Sequence, residues 1–244
     1  MMKTILLLAV VASATAFDLP SDFKTCNMSD PKATECYKNV VRDTVVSLAK
    51  GSKDFKILPI EPILVNEMII GESNSMSLKQ EYRNIKVYGL TKGLEIVTFR
   101  LNLDTLVSYS EAFNPRVDFV ADYKAAGKLM VISIQGEGRC NISMYNLTTT
   151  NEIHYEKFEK DGEIYIRAKT YIFKLIPQHA RLQFDNLFDK NNILDREMKK
   201  FVDDNSDVIF NELVQPFDHT FGMIFHQITN NIITRVPMNK IFYK

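Results

Sequence analysis

The stretch from Asn192 to about Asn231 constrains the fold more than any other part of the chain. It runs roughly 40 residues and would reach about 60 Å as one helix, several times the length of an average globular helix. Leu194, Met198 and Phe201, then Ile209, Leu213, Phe217, Phe221, Ile224, Ile228 and Ile232, step mostly by threes and fours and paint one apolar stripe. Val202, Phe210, Val214 and Phe225 widen that stripe, so a large partner has to wrap it. Taken alone, the pattern describes a buried core helix. Two features modify it: the polar gap Asp203-Asp204-Asn205-Ser206-Asp207 predicts a division into two segments, and Pro216 removes a backbone donor inside the second and predicts a kink.

At the other end, residues 1–16 read as a secretory leader. Lys3 supplies the positive charge, Ile5 to Val11 a short apolar run, and Ala14-Thr15-Ala16 a small-residue cleavage site before Phe17. That run is far short of the ~18 to 20 residues that span a bilayer, so a secreted chain is expected, without stable membrane insertion. Residues 17–244 contain no Gly/Ser/Pro-rich linker and are expected to form one domain. Lysine plus arginine balance aspartate plus glutamate at 30 each, with no basic run, which argues against a nucleic-acid partner. In an extracellular setting Cys26 and Cys36, flanking a turn-rich segment, are expected to pair, contributing about 2.5 to 3 kcal/mol in the chain-entropy model. Cys140 is left over and is expected to be buried and inert.

Between the ends the pattern changes. Asp30-Pro31 followed by Lys32 to Lys50 predicts a first helix that stops at Gly51, with Tyr37, Val40, Val41, Thr44, Val45 and Leu48 on its buried face. The prolines of Leu58-Pro59-Ile60-Glu61-Pro62-Ile63 favour an extended edge segment. From Met76 to about Leu187 the chain reads as successive strands. Val117, Phe119, Ala121 and Tyr123 alternate with Asp118, Val120, Asp122 and Lys124; Ala125-Ala126-Gly127 and Gly136-Glu-Gly138 read as turns, and Lys160-Asp161-Gly162 is the clearest hairpin signal. The fold class expected is α+β, an antiparallel sheet curling round a long C-terminal helix.

These residues resemble the takeout and juvenile-hormone-binding proteins of insects, in particular the takeout-like branch. The landmarks, in order, are the leader, the Cys26 and Cys36 pair, Leu58-Pro59-Ile60-Glu61-Pro62, Tyr82-Arg-Asn-Ile-Lys-Val-Tyr-Gly-Leu90, Tyr123-Lys-Ala-Ala-Gly-Lys-Leu129, Gln135-Gly-Glu-Gly138 and Asp185-Asn-Leu-Phe188. The resemblance implies a highly curved, TULIP-like super-roll with an internal hydrophobic tunnel that holds a lipophilic ligand in a haemolymph carrier. One departure stands out: members that bind juvenile hormone typically carry a second disulfide, and Cys140 has no partner in the chain.

Catalytic signatures are missing. The sequence contains no Gly-x-Ser-x-Gly, His-Glu-x-x-His, phosphate-binding glycine loop or Cys-x-x-Cys, so neither an enzyme nor a cofactor is expected. His219 and His226 share a helix face but lack a third ligand at metal spacing, so no metal is expected either. Asn27, Asn141 and Asn146 head Asn-x-Ser/Thr sequons and are candidate glycan sites. The function expected is a carrier for a small elongated lipophile, terpenoid, juvenile-hormone-like or fatty-acid-like. Its candidate contacts are Phe201, Ile209, Leu213, Phe217, Phe221, Ile224 and Ile228 on the helix and Phe119, Tyr123, Met130, Ile132 and Ile134 on the sheet. The alternative is an interaction module with a solid interior that recognises a receptor or a lipid surface; an internal cavity separates the two.

Overall fold

The computed structural model describes residues 19, 23–71, 77–129, 132–187 and 192–243. The leader read at residues 1–16 lies outside them. After a two-residue strand, β1 (Cys26–Asn27), the chain turns into α1 (Ala33–Ser47), continued by a 3-10 turn at Leu48–Lys50. Asp30 starts the helix by accepting the Lys32 N–H on its side chain at 2.7 Å and the Ala33 N–H on its carbonyl at 2.9 Å. Gly51, at φ 76°, stops it, as the spacing predicts. Cys26 and Cys36 are disulfide-bonded, which ties β1 to the first turn of α1.

Six strands then form one antiparallel sheet: β2 (Ile63–Ile70), β3 (Leu78–Tyr88), β4 (Glu95–Asn102), β5 (Val107–Leu129), β6 (Ile132–Lys160) and β7 (Glu163–Phe184). The order is β2-β3-β5-β6-β7, with β4 also on β5. One edge of β5 serves two strands in succession, β4 along 107–113 and β3 along 118–127. At the changeover Asn114 Nδ2 donates to the carbonyls of Gly89 and Leu90 at 3.1 and 3.0 Å. The β6–β7 turn is the expected hairpin, with Asp161 and Gly162 both at positive φ. Two other turn readings are corrected. β5 runs on through Ala125-Ala126-Gly127, and β6 runs on through Gly136-Glu-Gly138. The glycines of β6 mark a crossing of chains: a Cβ on Gly136 would stand 2.4 Å from the Asn186 carbonyl oxygen, and one on Gly138 2.8 Å from that of Asp185.

A straight β6 of 29 residues would span about 95 Å, well beyond the width of a compact chain of this length, so the long strands must bend. They bend at a shared register. Inward residues of β5 are Ser108, Ala112 and Asn114 up to one point and Val117, Phe119, Ala121 and Tyr123 beyond it, so the alternation changes phase at the exposed pair Pro115-Arg116. β6 changes phase at Asn146, whose φ is 47°, and β7 between Leu175 and Ala180. Asn146 Nδ2 bonds Gln178 Oε1 at 2.7 Å across this corner.

The helices follow. α2 (Asn192–Asp204) and α3 (Ser206–Ile233) divide at Asn205, within the expected polar gap, while α3 continues through Pro216 as one helix. The chain ends in α4 (Met238–Ile241) and β8 (Phe242–Tyr243), which pairs with β1 in parallel. The edge strand β7 would otherwise present unpaired amides, and α3 covers it. Ser206 Oγ accepts from Leu182 N at 3.5 Å, Asp207 Oδ1 from Ala180 N at 2.6 Å, Asp218 Oδ1 from Leu175 N at 2.8 Å and Asn230 Oδ1 from Ala168 N at 2.7 Å. His226 Nε2 sits 2.8 Å from the Ala168 carbonyl. The two seam carboxylates differ in charge preference. Burial pushes the Asp218 pKa up, outweighing the Leu175 N–H and the Lys174 ammonium 3.2 Å away. At Asp207 burial also pushes up, but the Ala180 N–H and the His179 ring win and the net shift is downward.

Candidate functional site

A cavity of about 330 Å³ lies inside the sheet toward the α1 end of the molecule. Its volume sits at the small end of the range for ligand sites. The apolar face of α1 makes one wall with Tyr37, Val41, Val45 and Leu48, and the second half of α3 makes another with Phe221, Phe225, Ile228 and Ile232. Behind these stand the inward residues of β5, β6 and β7 on the near side of the corner. Tyr37 anchors one end: its ring packs 5.5 Å from Phe99 and 6.0 Å from Phe242, and its hydroxyl donates to the Cys26 carbonyl at 3.1 Å. The disulfide, the β1–β8 pairing and the last residues of the chain thus meet at that end.

The electrostatics of the cavity are simple. Among its described lining residues the one charged side chain is Lys24, 72 % exposed and 3.7 Å from Asp43. The polar wall residues are neutral: Ser108 Oγ and the Tyr155 hydroxyl lie 2.8 Å apart, and Tyr171 donates to Asn151 Oδ1 at 2.8 Å. Burial pushes the Tyr155 phenol up to about 12 and Tyr171 higher still. An environment that resists ionisation of tyrosine resists any buried negative charge. Among the described lining residues there is no histidine or carboxylate to serve a hydroxyl as base.

Of the candidate contacts, Phe221 and Ile228 line the cavity. Phe119, Tyr123, Ile134, Ile209, Leu213 and Phe217 are buried in the core, where Phe217 meets Phe119 and Tyr82 with ring centroids 5.2 and 5.7 Å apart. Phe201 and Ile224 pack against that core from partly buried positions. Met130 and the Ile132 side chain lie outside the described residues. Sequence reasoning passed over the α1 wall and the inward residues of β5–β7 between the corner and the hairpin. A periodic signal for α1 was present; Ser108, Ser110, Thr149 and Asn151 resemble a solvated face and gave none.

Cys140 is buried and its thiol is pushed up to about 12, chiefly by burial. The sequon residues Asn27 and Asn146 are exposed, while Asn141 is half-buried with its Oδ1 shut off and without a partner. Among the described residues no His/Cys/Asp/Glu group is arranged to hold a metal, and no helix is long and apolar enough to cross a membrane.

Comparison with known proteins gives a consistent set of relatives. The family model described as haemolymph juvenile hormone binding protein (JHBP) matches residues 5–243. The chain is 21 % identical over 238 residues to the circadian clock-controlled protein daywake of Drosophila melanogaster, covering 92 % of this chain and 88 % of that one. Against daywake of Drosophila yakuba it is 23 % identical over 238 residues, covering 91 % and 88 %. The crystal structure of Epiphyas postvittana Takeout 1 superposes with a TM-score of 0.80 at 18 % identity, over 90 % of this chain and 99 % of that one. The curled antiparallel sheet with its C-terminal helix is therefore a takeout fold.

Proposed function

We propose a carrier function from one premise: the chain belongs to the haemolymph juvenile hormone binding protein family. The protein binds a small lipophilic molecule in the cavity between α1, the sheet and the second half of α3. The observation that carries this reading is a cavity between sheet and helices whose described wall has one charged side chain, and that side chain is mostly exposed. Burial of apolar ligand surface at roughly 25 cal/mol per Å² drives uptake, and micromolar affinity needs about 8 kcal/mol after the costs of association.

In this reading Phe221 and Ile228, joined by Phe225 and Ile232, touch the ligand, while Phe119, Phe217 and their neighbours support that wall from behind. Residues 1–16 direct secretion, residues 17–244 form one ligand-binding domain, and the ligand is of the terpenoid, juvenile-hormone-like or fatty-acid-like class. Glycans sit on Asn27 and Asn146, whose side chains are exposed; an intact mass unchanged by N-glycosidase removes them from the picture. Native mass spectrometry of the secreted protein, followed by organic extraction, tests the central claim. A lipophile that travels with the folded chain supports it. A protein that carries none and displaces no fluorescent lipid when titrated overturns it.

A further inference from the structure

The seam between β7 and α3 is sealed by side chains on both sides of one open stretch. Groups on α3 answer the edge amides of Leu182, Ala180, Leu175 and Ala168 in turn. Leu175 turns its N–H to the helix, so by the alternation of an antiparallel edge Phe173 and Tyr171 turn their amides and carbonyls to the same side. Opposite them α3 offers Gly222: a Cβ built there would stand 3.5 Å from the Tyr171 carbonyl oxygen and 4.0 Å from the Phe173 nitrogen. Among the described residues no side chain of α3 bonds either atom.

An open groove of about 440 Å³ lies over this stretch, on the outside of the roll. Its walls carry Lys169 and Lys174 from β7 and Gln215, His219 and His226 from α3. The exposed side chains of Ile172 and Met223 add apolar surface. The one carboxylate among its described lining residues, Asp218, is buried and already committed: Oδ1 accepts from Leu175 N, and Oδ2 lies 3.2 Å from Lys174 Nζ. An ammonium has three donors, so Lys174 keeps two for a ligand. Lys169 and His219 meet no protein partner among the described residues. The groove therefore presents two ammonium groups, an uncommitted imidazole and an open backbone amide, and a single carboxylate opposes their charge.

We propose that this groove binds a phosphate group, carried by a lipid headgroup or by a soluble phosphate ester. Donors converge on it from a strand and a helix, and a tetrahedral anion meets more of them than a planar carboxylate does. Lys169, Lys174 and His219 supply the hydrogen bonds to the anion, and Ile172 and Met223 give the attached carbon chain an apolar contact. The site lies outside the sheet and stands whether or not the chamber carries a lipophile.

The test uses the purified full chain with glycerol 3-phosphate, acetate, and vesicles of phosphatidylcholine with and without phosphatidic acid. In titration calorimetry glycerol 3-phosphate is expected to bind roughly tenfold or more tightly than acetate. Co-sedimentation with the vesicles separates the two sources. Capture that requires phosphatidic acid assigns the site to a lipid headgroup, and binding of glycerol 3-phosphate without capture on vesicles assigns it to a soluble ester. Lys169→Gln and His219→Gln, both at exposed positions, are each expected to weaken phosphate binding about three- to tenfold with the unfolding midpoint unchanged. Gly222→Ala places a methyl group over the open amide and is expected to weaken binding without removing a charge. Equal affinity for acetate and glycerol 3-phosphate, or binding that none of the three variants weakens, overturns the phosphate site. So does a chain that binds none of the probes.

Discussion

The first half of α3, Ser206 to Phe217, and the second, Phe221 to Ile233, carry similar apolar stripes in different surroundings. Ile209, Phe210, Leu213 and Phe217 are fully packed, whereas Ile224, Phe225, Ile228 and Ile232 keep part of their surface open. The helix does not make this difference; the sheet opposite it does. Facing the first half, the inward positions beyond the corner are large: Phe119, Tyr123, Ile142 and Leu182. On the cavity side of the corner Phe173 still meets Phe225, with ring centroids 5.0 Å apart, but the wall there also includes the small side chains of Ser108, Ser110, Ala112 and Thr149. A stripe on a helix decides which face turns inward. The residues across from it decide whether the space is filled.

Removing a ring from each half should break that comparison if it is wrong. Phe217→Ala deletes a ring held against Tyr82 and Phe119, and is expected to cost about 3 to 5 kcal/mol in denaturant unfolding. Phe225→Ala, beside the cavity, is expected to cost roughly half as much and to change ligand affinity as well. Equal costs would mean that the second half is as solid as the first. Next in size is the seam. Asp218→Ala leaves the buried Leu175 N–H without its acceptor, an expected loss of about 1 to 3 kcal/mol, again by denaturant unfolding.

A smaller effect, of opposite sign at the two seam carboxylates, appears with pH. Because the folded pKa of Asp218 is raised, its contribution to stability is present below the unfolded carboxylate range and is lost as pH rises through the folded value. Because that of Asp207 is lowered, its contribution is present above the unfolded range and is lost as pH falls through the folded value. Between acid and neutral pH, Asp218→Asn should therefore gain stability relative to the natural protein and Asp207→Asn should lose it. Parallel pH profiles would contradict the assigned environments. The smallest expected signal is Cys140: with its thiol buried and pushed up to about 12, a thiol reagent at neutral pH should label it only after unfolding.

Much of the fold was legible because local chemistry and global structure agree. The Asp30-to-Gly51 helix, the Asp161-Gly162 hairpin and the break near Asn205 all carry their signals in a few residues. A run of strands beside a long apolar helix already implied that the sheet wraps the helix, and the resemblance sharpened this to a highly curved super-roll. Gly136 and Gly138 misled because a glycine that admits a crossing chain looks like one that makes a turn. The site was legible only in part. Phe221 and Ile228 belong to a stripe that reads as inward, but the same logic favoured Phe119 and Tyr123, whose strict alternation is the signature of a filled core. The polar inward row of β5 and β6 inverts the usual pattern, and the phase change at Pro115-Arg116 hides it further.

That phase change also makes the two halves of the sheet separately vulnerable. Side chains alternate with a period of two, so dropping one residue at Pro115 would shift 107–114 by a single step while Val117 to Leu129 kept their places. Glu111 and Tyr109 would then point into the chamber, and Ser108 and Ser110 would point out to solvent. A one-residue indel at this point would turn over the β5 share of the chamber wall and leave the aromatic block around Phe119 intact, which makes the corner a place where the polarity of that wall can change in one step.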